Sequence, residues 1–181
     1  MTILAKPAPF ATPYGTLVEP ATLRIERLLP GPIERVWAHL VESDLRRRWL
    51  AAGEMPLEAG AAFQLVWRND ELTDPPGRRP DDFGSEHRMD CRIIAVEPPT
   101  RLAFAFGNNG DVTIDLAARD DGILLTLVHR RLASPAAALM VGPGWHGHLD
   151  VLGARLAGET PQPFWDRWKT LRADYETRFS A

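Results

Sequence analysis

The chain has 181 residues, 45% of them hydrophobic and 25% charged, and a formal net charge of -3. Those values describe one domain with room for a sizeable core, and they exclude disorder, fibrous repeats and any general attraction to nucleic acid or anionic lipid. The single cysteine, Cys91, excludes an internal disulfide and an all-cysteine zinc site.

Residues 1–13 are proline-spaced and read as a flexible arm. They build no continuous apolar segment of the kind a signal peptide needs. No later run approaches the roughly 18 apolar residues of a membrane span, so a cytoplasmic protein without membrane insertion is expected. YGTLVE suits a short edge strand. TLRIERLL, residues 22–29, alternates as a half-buried strand does, with Leu23 and Ile25 on one face. LPGP stops it. Pro32 then opens a helix in which Ile33, Val36, Trp37 and Leu40 share one side. Ser43 suits the N-cap of a second short helix, DLRRRWL, whose arginines read as a solvated face.

From there the period becomes two. AFQLVWRN puts Phe63, Leu65 and Trp67 together, and EHRMDCRI does the same for His87, Met89, Cys91 and Ile93. LAFAF, DVTIDL and ILLTLVHRR follow, separated by the turn sequences EPPT, GNNG and RDDG. Short strands joined this way predict an antiparallel meander. Residues 70–84, DELTDPPGRRPDDFG, carry no periodicity and read as a mobile loop, a lid or simply unordered, in which Asp81 and Asp82 are solvated.

The chain ends in helices. Trp145, His148, Leu149, Leu152 and Leu156 recur at steps of three and four, which predicts an amphipathic helix over 143–157 with Pro143 in its first turn. PFWDRWKTLRADYETRF repeats the pattern after GETPQP. Within the first of these helices, His146 and His148 are two positions apart and so about 200° apart around the axis, which forbids a shared metal. His148 takes the apolar face and His146 the flank. No HExxH motif or carboxylate triad accompanies them, so neither metal nor cofactor is expected.

This order of strand, two short helices, antiparallel meander and closing helix resembles the START-like, or SRPBCC, superfamily with its helix-grip fold. TLRIERLLPGPIERVWAHLVESDLRRRWLA looks like the family's opening. RIIAVEPPTRLAFAFG is similar to the strand, double-proline turn and strand of the branch called activator of heat-shock-protein ATPase homologue-like. ILLTLVHRRL and GPGWHGHLDVLGARL resemble that branch's last strand and closing helix. The resemblance covers residues 14–158 and leaves 159–181 as a helical extension, packed on the domain or at a dimer interface. It implies an α+β fold in which a curved antiparallel sheet of six to seven strands wraps the long C-terminal helix. It also implies an apolar cavity between them for a lipid, a polyketide-like compound or another hydrophobic small molecule. The eukaryotic co-chaperones of that name carry a separate N-terminal domain for which this chain has no room, so their activity is not carried over.

Strand parity and helix spacing together name the residues that face such a cavity: Phe63, Leu65, Trp67, Met89, Phe104, Phe106, Trp145, Leu149 and Leu152. Ile114 and Leu127 share that inward parity. Trp49, at the end of a short helix, is expected at the cavity mouth. The polar groups of inward parity are Arg27, His87 and His129, joined by His148 from the helix; they are expected to orient the polar end of a ligand. Binding is the leading expectation: burying about 400 Å² of apolar ligand surface is worth on the order of 10 kcal/mol, enough for roughly micromolar affinity after ordering costs. The second reading is a cyclase-type acid-base enzyme using His129 or His148, since imidazole titrates near neutrality. Cys91, in mid-strand without an activating partner, is no nucleophile candidate. The third reading is an interaction module, co-chaperone-like or homodimeric through Trp165, Trp168 and Tyr175.

Overall fold

The computed structural model describes residues 12–19 and 21–180, so the expected arm lies, up to residue 11, outside the described residues. Seven strands form one antiparallel sheet: β1 (Thr16–Glu19), β2 (Thr22–Leu29), β3 (Ala62–Trp67), β4 (His87–Glu97), β5 (Arg101–Ala105), β6 (Asp111–Arg119) and β7 (Gly122–Arg130). Their spatial order is β1-β2-β7-β6-β5-β4-β3. Strands β3 to β7 are thus the meander that the turn spacing predicts, and β2 closes on β7 with Leu23 opposite His129 and Ile25 opposite Leu127. The helices are α1 (Ile33–Val41), α2 (Ser43–Arg46), α3 (Pro135–Ala157) and α4 (Phe164–Phe179).

The alternation buries one face of the sheet. Leu23, Ile25, Ile114, Leu125 and Leu127 from the strands and Leu149 and Leu152 from α3 are all at most 2% exposed, and they meet in one core. Each such side chain contributes about 1.5–3 kcal/mol by leaving water. Helix α4 then packs on the other side of α3. Two glycines let it come close: a Cβ at Gly142 would lie 3.1 Å from the Tyr175 ring, and one at Gly147 would lie 3.4 Å from the Phe164 ring.

Four local expectations are corrected. The closing helix starts at Pro135, not at Pro143, because Ser134 caps it by accepting from the Ala137 N–H at 3.1 Å and Pro135 occupies the first turn. Pro143 is buried inside the helix, where it withholds one backbone donor. Ser43 does not act as the N-cap. It is the first residue of α2, and its hydroxyl accepts from the Gly53 N–H at 2.9 Å.

The arginine run is not wholly solvated either. Arg47 and Arg48 are exposed, but Arg46 is 1% exposed and donates to the carbonyls of Leu40, Val41, Ala51 and Gly53. Gly53 has φ +121°, and a Cβ there would come within 1.9 Å of the Gln64 carbonyl oxygen, so only glycine turns the chain back onto Arg46.

The 70–84 loop is tied down. A 3-10 turn spans Asn69–Glu71, and the segment beyond it is bonded to the start of α4. The Phe164 N–H donates to Thr73 Oγ1 at 3.0 Å, the Trp165 N–H to the Pro76 carbonyl at 2.9 Å, and the Arg78 N–H to Asp166 Oδ1 at 3.2 Å. Sequence periodicity could not reveal this, because the partners are some 90 positions away and the bonds run through backbone and short polar side chains.

Candidate functional site

A cavity of about 390 Å³ opens where β3, β4 and the end of β5 meet the first half of α3, under α4 and the tied loop. Its walls are aromatic: Trp67 and Phe106 from the sheet side, Trp145 from α3, Phe83 from the loop, and Phe164, Trp165 and Trp168 from α4. The rings support one another in edge-to-face and tilted contacts. Phe106 lies 5.9 Å from Trp67 and 5.6 Å from Trp145, and Phe83 lies 5.2 Å from Trp165 and 5.0 Å from Trp168 between centroids. The Trp165 indole N–H is fixed by Asp70 Oδ1 at 2.7 Å. Leu50, Met89, Met140 and Val141 complete the apolar lining, and Gly144 presents no side chain to it.

Six of the expected residues line this cavity: Trp67, His87, Met89, Phe106, Trp145 and His148. Seven do not. Phe63, Leu65, Phe104, Leu149 and Leu152 are packed into the core, and His129 lies behind Phe106 and Trp145. Trp49, expected at the mouth, is fully buried; its indole N–H donates to the His39 carbonyl at 2.8 Å, and its neighbour Leu50 reaches the cavity instead. Parity alone cannot separate these groups, because it names a face of the sheet and not the stretch of that face which α3 leaves uncovered.

The expected helix at α4 is present, but its place in the cavity wall is not foreseen. Its Phe164, Trp165 and Trp168 form one wall, and the signal was the aromatic spacing FWDRW itself. Trp165, Trp168 and Tyr175, on which the interaction reading rested, are buried within the chain.

The histidines divide by environment. His129 has no exposed surface; Nε2–H donates to the Asn109 carbonyl at 2.6 Å, and Nδ1 accepts from the Trp145 indole N–H at 3.2 Å. Asn109 is held by the 107–110 turn, where Gly110 has φ +87° and a Cβ would lie 2.0 Å from the Arg130 carbonyl oxygen. Burial lowers the His129 pKa, so both ring nitrogens are committed on a neutral ring. His148 is 6% exposed and lines the cavity under the Phe164 ring at 4.8 Å. Its Nδ1–H donates to the Trp49 carbonyl at 2.8 Å, while Nε2 has no hydrogen-bond partner among the described residues. Burial pushes its pKa down to about 4.

His146 points the other way, as the helical spacing requires. Nδ1–H donates to the Tyr175 hydroxyl at 3.2 Å, and Nε2 accepts from Arg167 at 3.3 Å. Around it Asp150 joins Arg27 at 3.2 Å and Arg167 at 3.0 Å. Arg27 therefore belongs to this ion network and does not reach the aromatic cavity. A second, more polar cleft of about 480 Å³ opens on that side. Cys91 is buried, and desolvation lifts its thiol pKa to about 11, which leaves it unreactive. Among the described residues no three His, Cys, Asp or Glu side chains cluster as a metal site would require, and no helix is long and apolar enough to cross a membrane.

Comparisons with known proteins agree with this architecture. The family model described as Activator of Hsp90 ATPase homolog 1-like protein matches residues 30–157. A protein of Bordetella parapertussis, solved by NMR in solution, is 38% identical over 94% of this chain and 93% of its own, with a TM-score of 0.78. CalU16 from Micromonospora echinospora is 22% identical over 88% of this chain and 89% of its own, with a TM-score of 0.64, and shares the fold. DynU16, from the dynemicin biosynthetic locus, is 20% identical over 79% of this chain and 50% of its own, with a TM-score of 0.61. A search of functionally curated proteins gives no match. A sheet gripping one long helix, an opening with two short helices and a family match across most of the domain lead to one conclusion: the chain belongs to the Activator of Hsp90 ATPase homolog 1-like family, with the START-like fold.

Proposed function

We propose that this protein binds a hydrophobic small molecule, lipid or polyketide-like, in the aromatic cavity between the sheet, α3 and α4. The observation that carries the reading is the wall of seven aromatic side chains around about 390 Å³, a volume in the range of small-molecule sites. A cavity lined this way, with few polar groups, favours flat apolar ligands through burial and ring stacking.

The acid-base reading narrows to His148, since both nitrogens of His129 are engaged. A pKa near 4 makes His148 a weak base at neutral pH, so it suits a hydrogen-bond acceptor better than a proton carrier.

The test is titration with Nile red, a neutral hydrophobic dye, followed by its fluorescence, with native mass spectrometry of freshly purified protein for any co-purifying compound. Replacing Gly144 by Leu places a side chain in the cavity from a helical position with nothing within 4 Å of the new Cβ. Enhancement in the parent and its loss in Gly144→Leu is the expected result. Equal enhancement in both proteins puts the dye elsewhere and ends the proposal.

A further inference from the structure

We infer that the cavity selects a neutral aromatic compound bearing a hydrogen-bond donor, a phenol or enol, over the matching ether or carboxylate. The inference rests on the proposed binding role and adds the chemistry of the ligand's polar end.

The polar lining carries it. His148 is 94% buried by its 6% exposure, yet its Nε2 has no partner among the described residues, and the ring borders the cavity. Because the Trp49 carbonyl can only accept, the proton must sit on Nδ1, which makes Nε2 a lone-pair acceptor. The low His148 pKa keeps the ring in that form at neutral pH. Asn69 lines the same cavity, but its unpartnered Oδ1 is fully buried and offers a ligand no surface. His148 Nε2 has no partner in the protein, so a ligand that covers it and supplies a hydroxyl gains more than one that covers it and supplies none.

Charge argues in the same direction. No lysine or arginine lines the cavity among the described residues, and the charged groups that do are Asp82 and Glu86. Glu86 is neutralised from outside by Arg68 at 2.9 Å and Arg88 at 2.7 Å, so those arginines are already paired. The indole N–H groups of Trp145 and Trp165 are taken by His129 and Asp70, and those of Trp67 and Trp168 are neutral donors that carry no charge to offset a carboxylate. A carboxylate entering this space would lose its hydration without finding a cation. A phenol meets an aromatic wall with its ring and can donate its one hydroxyl proton to His148 Nε2.

The experiment compares naphthol, methoxynaphthalene and naphthoate, all substituted at the same ring carbon, by isothermal titration and tryptophan quenching at neutral pH. Naphthol is expected to bind about tenfold more tightly than the ether, the effect of one net hydrogen bond, and at least as far ahead of the carboxylate. In His148→Phe the preference for naphthol over the ether should fall to near unity while the ether still binds. If the parent binds the ether as well as naphthol, or binds naphthoate best, the inference is overturned and the cavity reading stands. If none of the three binds and Nile red also fails, both fall together.

Discussion

The carbonyl oxygen of Trp49 and Nδ1 of His148 are hydrogen-bonded at 2.8 Å across 99 positions of sequence, joining the segment after α2 to the middle of α3. The bond sets three things at once. It fixes which nitrogen carries the proton, it holds the ring at the cavity wall, and it satisfies a carbonyl that burial has cut off from water. A polar residue on an apolar helix face is here a local support and a binding group together.

Acid should weaken the fold through its buried imidazoles. Burial pushes His146 and His148 to about 4, below the usual value of 6.5, and lowers His129 as well. The unfolded chain therefore binds more protons than the folded one in that interval. The stability that these groups contribute is whole above about pH 6.5 and falls as pH drops towards 4. Each fully depressed imidazole adds up to about 1.4 kcal/mol per pH unit, or about 3 kcal/mol across the window. Urea unfolding at pH 7, 6 and 5 would measure the slope. His148→Phe should reduce it by about 1.4 kcal/mol per pH unit, and a slope unchanged by that substitution would contradict the assignment.

Gly144 should be a site where a small substitution helps. It sits inside α3, borders the cavity, and a Cβ there meets nothing within 4 Å. Gly144→Ala should raise stability by up to about 1 kcal/mol through helix propensity alone, or about 3 °C in Tm for a chain of this length. Gly142→Ala is the control: its Cβ would press on Tyr175 at 3.1 Å, and it should not gain. Calorimetry of both variants separates the two environments.

Arg46 should tolerate neither Ala nor Lys. Four backbone carbonyls surround its guanidinium, and desolvation lowers its pKa to about 10. A lysine has three donors at one point and cannot reach four separated oxygens. Arg46→Ala should cost about 3 kcal/mol and Arg46→Lys about 2 kcal/mol, whereas Arg47→Ala and Arg48→Ala should stay within about 0.5 kcal/mol. Equal costs along the three would mean that the burial of Arg46 is not what matters.

That contrast also marks what the sequence could say. RRRWL gives three identical side chains in a row, and only the fold around Gly53 decides which one turns inward. The meander, by contrast, was legible strand by strand, because alternation and turn residues are local properties that the sheet merely preserves. The site was half legible for the same reason. Trp67, Met89 and Phe106 follow from parity, while Phe83, Phe164 and Trp165 depend on a loop and a helix brought together by backbone hydrogen bonds. The start of α3 was missed for a different reason: Pro143 looks like a helix opener, and its burial within a longer helix depends on neighbours that no local pattern shows.

Asp150 should be needed chiefly as a counter-charge. It bridges Arg27, whose side chain is 9% exposed, and Arg167, and it faces the buried His146 at 3.5 Å. Asp150→Asn removes the anion and leaves two guanidinium groups facing each other beside a ring that burial keeps neutral. Its carboxylate is 32% exposed, so solvent screens part of the loss, and a cost of about 2 kcal/mol is expected. The diagnostic variant is Arg27→Met with Asp150→Leu. Removing both charges together relieves the repulsion, so the double variant should be more stable than Asp150→Asn alone, as replacement of buried ion pairs by apolar side chains often is. Chemical unfolding of the parent, Arg27→Met, Asp150→Leu and the double gives the coupling directly. A double variant less stable than Asp150→Asn would instead mean that Arg27 holds the fold mainly through its bonds to the carbonyls of Pro13 and Glu26.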